Sequence, residues 1–180
     1  MDRLKVCFVV FLCVFIQFSA NESVAQETDQ EDRHVVPAIN EYLNQTKVYT
    51  LHCEKTVDFF TAWRSCYDLG EELATIESSR DNKALASALE SSDNLAYTSG
   101  TDAGKEGSYV WLVNKRPIPG QWNNFTAWNP GEPNNSESKE HCLVVKNLPN
   151  GSAGWNDVPC DVSLCYVCQR FEIPDGAEVY

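Results

Sequence analysis

Hydrophobic and polar positions change period several times along the chain, and each change marks an element. Residues 49–53 (Tyr-Thr-Leu-His-Cys) alternate loosely with period two, which predicts a first strand. From Thr56 or Asp58 the apolar positions Phe59, Ala62, Trp63, Cys66 and Leu69 recur at helical spacing and stop at Gly70, so a helix closed by a glycine is expected there. A second helix begins near Ser78 or Ser79, carries Ala84, Leu85, Ala88 and Leu89 on one side, and ends in the polar stretch 91–94. Residues 95–99 read as a short strand. The chain then enters a long region rich in Gly, Pro, Asn and Trp that runs to about His141, and so long a stretch without regular pattern is functional or disordered. Trp111, Trp122 and Trp128 argue against disorder, because so much aromatic area is unfavourable in water. Residues 143–145 and 165–171 read as closing strands, the second pairing with the first so that the chain ends meet. Trp63 and Trp111 are expected in the core, whereas Trp128 and Trp155 brace loops. Two helices with strands at both ends of the sequence make an α+β fold.

At 180 residues, 43% apolar and 11% aromatic, the chain is sufficient for one domain with a core. Its net charge of −12 argues against nucleic acid or anionic membrane as partner, since both are met by Lys/Arg patches. Clustered carboxylates suit cation binding, although a solvated acidic surface accounts equally well for most of the charges. Asp2-Arg3-Leu4-Lys5 followed by the apolar run 6–18 reads as the start of a signal peptide, too short for a comfortable membrane span. Ser23 and Ala25 favour cleavage after Ala25, with Ala20 as the alternative site and an uncleaved signal anchor as the alternative fate. Cleavage would remove Cys7 and Cys13 and leave six cysteines, an even number for an oxidising compartment. The expected organisation is therefore a signal peptide over 1–25, an acidic flexible leader over 26–46, a domain over 47–172 and a loose acidic tail over 173–180, in a secreted, extracellular chain with no membrane span.

The candidate chemistry lies between Trp128 and Cys168. Glu132-Pro133-Asn134, Glu140 and Trp155-Asn156-Asp157 gather three carboxylates and two side-chain amides into one region. Calcium is a hard cation that takes six to eight oxygens at about 2.3–2.6 Å, so Glu132, Asn134, Glu140, Asn156 and Asp157, with a backbone carbonyl such as that of Asp157, would supply about six and leave room for an exogenous oxygen. His34, His52 and His141 form no His-x-x-x-His pair, and Cys165-Tyr166-Val167-Cys168 lies in an expected strand, so a disulfide role is favoured over zinc or redox work. Carboxylates committed to calcium cannot readily protonate a leaving group, which argues against a glycosidase and against an enzyme.

Glu-Pro-Asn, Glu140-x-Cys142, Trp-Asn-Asp-x-x-Cys160 and Cys160-x-x-x-x-Cys165-x-x-Cys168 together resemble the carbohydrate-recognition domain of C-type lectins. The similarity extends upstream through Ala62-Trp63-Arg64-Ser65-Cys66, Leu73-Ala74-Thr75-Ile76 and Thr98-Ser99-Gly100, and short secreted insect C-type lectins have similar Thr-Ser-Gly and Gly-Lys-Glu-Gly elements. The resemblance implies two helices, small antiparallel sheets, a long calcium-binding loop and disulfide staples. It implies the pairs Cys66–Cys168 and Cys142–Cys160. Cys53 and Cys165 depart from the commonest four-cysteine pattern; they fall on strands expected to pair and are assigned to a third bridge, the alternative being a link from one of them to a second chain.

The resemblance also implies a cis Pro133 and a ligand set of Glu132, Asn134, Glu140, Asn156 and Asp157 that holds Ca2+ and a sugar together. Two vicinal hydroxyls would complete the ion's shell while the Glu carboxylates accept, and the Asn amides donate, hydrogen bonds to the same hydroxyls. The order Glu-Pro-Asn resembles the family's mannose-type pattern, so glycans with equatorial 3- and 4-hydroxyls are expected: mannose, glucose and N-acetylglucosamine, with fucose through an equivalent pair. A second, weaker metal position would use Asp102 and Glu106; Asn135 and His141 stand where the family has two further acidic residues. Asn44, Asn124 and Asn150 are glycosylation candidates, and Asn134 lies in a sequon whose use would destroy the site. One shallow site of this kind binds near the millimolar level, about −4 kcal/mol, so avidity would require several sites on one assembly, a homo-oligomer being one route. The function expected is glycan or pathogen recognition in innate immunity; the alternative is a lectin-like module that binds a protein partner without calcium.

Overall fold

A computed structural model describes residues 45–89, 94–120 and 124–173. The stretch expected to be a signal peptide, nearly all of the expected leader with His34 and Asn44, Trp122, and residues from 174 on lie outside the described residues.

Strand β1 (Thr46–Val57) opens the domain and is longer at both ends than the alternating stretch 49–53. Helix α1 (Phe59–Asp68) starts where Asp58 accepts a hydrogen bond from the Thr61 amide at 2.9 Å, and bonds from the Thr61 amide and hydroxyl hold the Asp58 carboxyl below its usual range. It ends in a Schellman turn: Glu71 N bonds Cys66 O, Gly70 N bonds Tyr67 O, and Gly70 has φ +76°, which a residue with a Cβ adopts only at a cost. After β2 (Glu72–Leu73), helix α2 (Ser79–Ala88) is capped by Ser78 Oγ on the Asp81 amide. Both helices thus stand where the 3.6-residue spacing placed them.

The remaining strands are β3 (Ala96–Thr101), β4 (Val110–Trp111), β5 (Cys142–Asn147), β6 (Ala153–Val158) and β7 (Leu164–Glu172). They join β1 and β2 in one sheet of order β1-β7-β3-β5-β6, with β2 on β7 and β4 on β3. All pairings are antiparallel except β3 with β7. β1 and β7 run opposite each other from Thr46↔Glu172 to His52↔Tyr166, so the ends of the domain meet as expected. The sequence reading lacked β6, whose burial does not alternate, and the sheet is therefore larger than the closing strands suggested.

The core lies on both faces of this sheet. Along β5, Leu143 and Val145 enter one cluster with Ile76, Leu85, Trp111 and Trp155, while Cys142 and Val144 enter another with Phe59, Ala62, Leu73 and Tyr97. A strand buried on both faces reads as an unbroken apolar run, which is what 142–145 shows. Gly100 is needed where β3 crosses β5, because a Cβ there would stand 2.8 Å from Leu143 Cβ. Trp63 does not reach the core: Phe59, Ala62 and Cys66 take the inner face of α1, and Trp63 is 42% exposed beside Phe60 and Tyr67. Leu69, at the helix end, is exposed as well. Both apolar residues belong to the helical spacing but sit past the edge of its buried stripe.

All six cysteines of the domain are paired. Cys66–Cys168 ties α1 to β7, Cys142–Cys160 ties the start of β5 to the turn after β6, and Cys53–Cys165 ties β1 to β7. The third bridge is thus intramolecular, and the alternative of a link to a second chain falls away.

Candidate metal and ligand site

The site is built on β6, to which the long irregular region is fastened. Asn129 N donates to Trp155 O and Trp155 N donates to Ala127 O, so residues 127–129 run as an added ribbon along β6. Gly154 allows this approach, since a Cβ there would collide with the Asn129 side chain. Trp155 is fully buried, donates Nε1–H to Asn82 Oδ1 at 3.1 Å, and meets Trp111, Phe125 and Trp128 edge-on at 5.6–5.8 Å. It therefore joins the core to the loop that carries the ligands, more than the brace expected, while Trp128 braces by packing edge-on against Tyr109 at 4.9 Å.

Trp155 being locked, the next two residues of β6 are delivered to fixed places. Asp157 is fully buried, and its carboxylate accepts from the backbone amides of Asn134 at 3.1 Å and Asn135 at 2.8 Å, with the Tyr109 hydroxyl at 3.4 Å. Burial first, then the charges of Asp157, Asp102 and Glu106, push the Tyr109 hydroxyl far above its usual range, so it stays a donor. Asn156 donates Nδ2–H to Asp157 O at 2.8 Å, while its Oδ1 is buried without a hydrogen-bond partner.

The segment facing β6 supplies the other ligands. A turn closed by Glu132 N on Asn129 O, with Gly131 at φ +92°, leads into Glu132-Pro133, whose peptide bond is cis as the resemblance implied. Asn134 Nδ2 donates to Glu132 Oε2 at 2.6 Å, so one donor and one acceptor stand side by side. Asn135 takes the left-handed conformation at φ +43°, a region Asn tolerates better than most residues, and a 3-10 turn follows over Ser136–Ser138. The turn is closed from both sides: Glu140 N donates to Asn135 Oδ1 at 3.0 Å, and Ser136 N donates to Glu140 Oε2 at 2.9 Å. The structure thus brings Glu132, Asn134 and Glu140 to the edge of β6 that carries Asn156 and Asp157.

Two observations test whether these residues fit a hard cation. Desolvation first, then the bond and charge of Asp157 and the charge of Glu140, hold the Glu132 carboxyl above its usual range, against a smaller opposing effect from Asn134. On the strand residue before Asp157, Asn156 Oδ1 is buried without a hydrogen-bond partner. Crowded carboxylates and a buried acceptor without a donor are both relieved by a divalent ion with oxygen preference, so the donor set fits calcium.

The weaker position has a different make-up. Asp102 Oδ1 lies 3.0 Å from His141 Nδ1, Glu106 Oε2 lies 3.5 Å from the same nitrogen, and Asp102 Oδ2 accepts from Gly107 N at 2.7 Å. Asn135 Nδ2 donates to Glu106 Oε2 at 2.5 Å, which makes Asn135 common to both clusters. The sequence reading counted Asn135 and His141 as two lost charges and missed their contacts; the histidine itself was the available signal. Of the glycosylation candidates, Asn124 and Asn150 are exposed.

Comparison with known proteins agrees with this fold. The family model described as "Lectin C-type domain" matches residues 55–170. Salivary C-type lectin 2 of Aedes albopictus is 39% identical over 72 residues, covering 39% of this chain and 44% of that one. A C-type lectin mannose-binding isoform of Notechis scutatus scutatus is 34% identical over 103 residues, covering 56% and 61%. Among solved structures, the C-type lectin domain of murine dendritic cell inhibitory receptor 2, in complex with N-glycan, superposes with a TM-score of 0.59 at 24% identity, covering 71% of this chain and 92% of that one. The chain spans between 34% and 63% of the length of the curated relatives it matches.

Proposed function

This chain belongs to the C-type lectin domain family, a family of carbohydrate-binding modules, and from that membership we propose that it is a secreted, calcium-dependent lectin of mannose-type specificity. Its proposed use is glycan or pathogen recognition in innate immunity.

Glu132, Asn134, Glu140, Asn156 and Asp157 would hold the ion, which when bound offers coordination positions to two vicinal sugar hydroxyls. The chain's own residues do the rest. A hydroxyl entering between Asn134 and Glu132 accepts from the amide and donates to the carboxylate, and its neighbour is met in the same sense by Asn156 and Glu140. Asp157, gripped by the Asn134 and Asn135 amides, keeps the two halves of this arrangement in register. The donor and acceptor order of Glu-Pro-Asn supports equatorial 3- and 4-hydroxyls over the galactose arrangement. Secretion rests on the basic-then-apolar amino-terminal pattern.

The observation that carries this reading is Asn156 Oδ1, buried without a donor on the strand residue next to Asp157. Retention on mannose and galactose resins, with and without a chelator, tests it. Retention on mannose that the chelator releases is expected. Retention on galactose would overturn the specificity, and binding indifferent to chelator would overturn the mechanism in favour of a protein-binding module.

A further inference from the structure

The second cation position contains one donor that serves calcium poorly, the imidazole of His141. Its three side chains are brought together by the β3–β5 pairing: Thr101 faces Cys142, Asp102 N and Thr101 Oγ1 both bond His141 O, and the turn after Asp102 returns Glu106 through Lys105 N on Asp102 O. Asp102, Glu106 and His141 each offer a ligand atom within 4.8 Å of the other two, and His141 Nδ1 lies 3.0 Å from Asp102 Oδ1 and 3.5 Å from Glu106 Oε2.

The donor types decide between ions. Calcium takes oxygen ligands, and an imidazole nitrogen serves it poorly. Zinc takes imidazole and carboxylate together, at about 2.0–2.2 Å, and a tetrahedron with such bonds has edges of about 3.3–3.6 Å. The 3.0 Å contact is a hydrogen bond that the ion would replace, and the 3.0 and 3.5 Å separations already hold the donors near those edges. Two carboxylates balance the charge of a divalent ion, and three protein ligands leave a fourth position for water. The outer bonds are in place as well: Gly107 N fixes the far oxygen of Asp102, and the Asn135 amide orients Glu106. The Asp102 side chain is 1% exposed while those of His141 and Glu106 are 33% and 58% exposed, so the cluster has a closed floor and an open mouth.

We propose that Asp102, Glu106 and His141 form a binding site for a divalent ion of the zinc class, separate from the calcium site and joined to it through Asn135. Among the described residues the other metal-like group, His52 with Glu71 and Cys168, has its sulfur committed to the Cys66 bridge.

The test is a calorimetric titration of Zn2+ into the full, disulfide-intact chain, free of any histidine tag, with Ca2+ absent and in saturating excess. Absorption of Co2+ serves as a second probe of tetrahedral nitrogen and oxygen ligation. One equivalent of zinc is expected in both conditions. His141→Ala should weaken it by more than the about 10–100-fold that loss of an outer-shell partner costs, with far-UV circular dichroism unchanged, whereas His34→Ala and His52→Ala should leave it alone. His141→Asp should lose zinc and add one equivalent of calcium. Zinc displaced one-for-one by calcium, zinc binding unaltered in His141→Ala, or neither zinc heat nor a tetrahedral cobalt band at millimolar metal would overturn the proposal. Because zinc is measured without calcium as well, its failure is distinguishable from failure of the calcium site.

Discussion

The backbone amide of Asn135 donates to Asp157 Oδ2 at 2.8 Å, and this bond joins the turn of the ligand loop to the last strand before the Cys160 bridge. With the neighbouring Asn134 amide on Oδ1, it makes a buried carboxylate the anchor of the loop before any ion is considered. Asp157→Ala should therefore lower stability by about 2–4 kcal/mol even in chelator, since it removes a buried carboxylate that anchors two part-buried amides, and should abolish calcium-dependent retention. Urea denaturation with chelator present measures the first effect separately from the second.

Asn156→Ala should behave in the opposite way. It removes an acceptor that is unsatisfied in the metal-free protein, at the cost of the bond to Asp157 O. Stability in chelator should change by no more than about 1 kcal/mol, while calcium affinity measured by titration falls. A large loss of stability in chelator would mean that the residue is structural.

The Glu132 carboxyl gives the metal-free domain a distinctive pH dependence. Its value is raised in the folded state, so the folded state holds the proton more tightly than the unfolded chain; that contribution is present below the ordinary glutamate value and is lost as pH rises through the raised one. Calcium requires the carboxylate, so calcium affinity moves the other way and falls as pH drops through the same window. Denaturation in chelator and calcium titration, each repeated across the acid range, should show the two opposed slopes, and Glu132→Gln should flatten both.

The tryptophans separate by location. Trp155→Ala, at the junction of core and ligand loop, should cost about 3–5 kcal/mol, whereas Trp63→Ala on the outer face of α1 should cost well under half of that. Guanidinium denaturation of the two variants side by side checks the order, and a reversal would contradict the helix phase.

These differences show what was legible in the sequence. The α1 boundaries were, because Asp58 and Gly70 each solve a backbone problem that only a few residue types solve. The gathering of Glu132, Asn134 and Glu140 opposite the strand of Asn156 and Asp157 was, because the order of these oxygen donors along the chain resembles a family pattern. The phase of α1 was not: Trp63 fits the apolar spacing as well as Ala62 does, and only packing against Tyr97 and Leu73 chose the smaller residue for the interior. β6 escaped because it is buried on nearly every residue and so carries no alternation, and Trp155 owes its central place to contacts with residues distant in the chain. His141 was read as a missing charge because its partner Asp102 stands 39 positions away, across a strand pair that the pattern had not joined.

The pairing of β1 with β7 also has a mechanical side. A pull that drew residues 46 and 172 apart would meet the rungs from Thr46↔Glu172 to His52↔Tyr166 one at a time, the geometry of a zip, in which hydrogen bonds resist singly. The Cys66–Cys168 bridge tethers β7 to α1 part-way along, and Cys53–Cys165 closes the last rung covalently. Peeling would stop there, with β3, β5 and β6 still assembled, so a ligand-bound domain under tension would yield slack at its edge and keep the strands that carry its site.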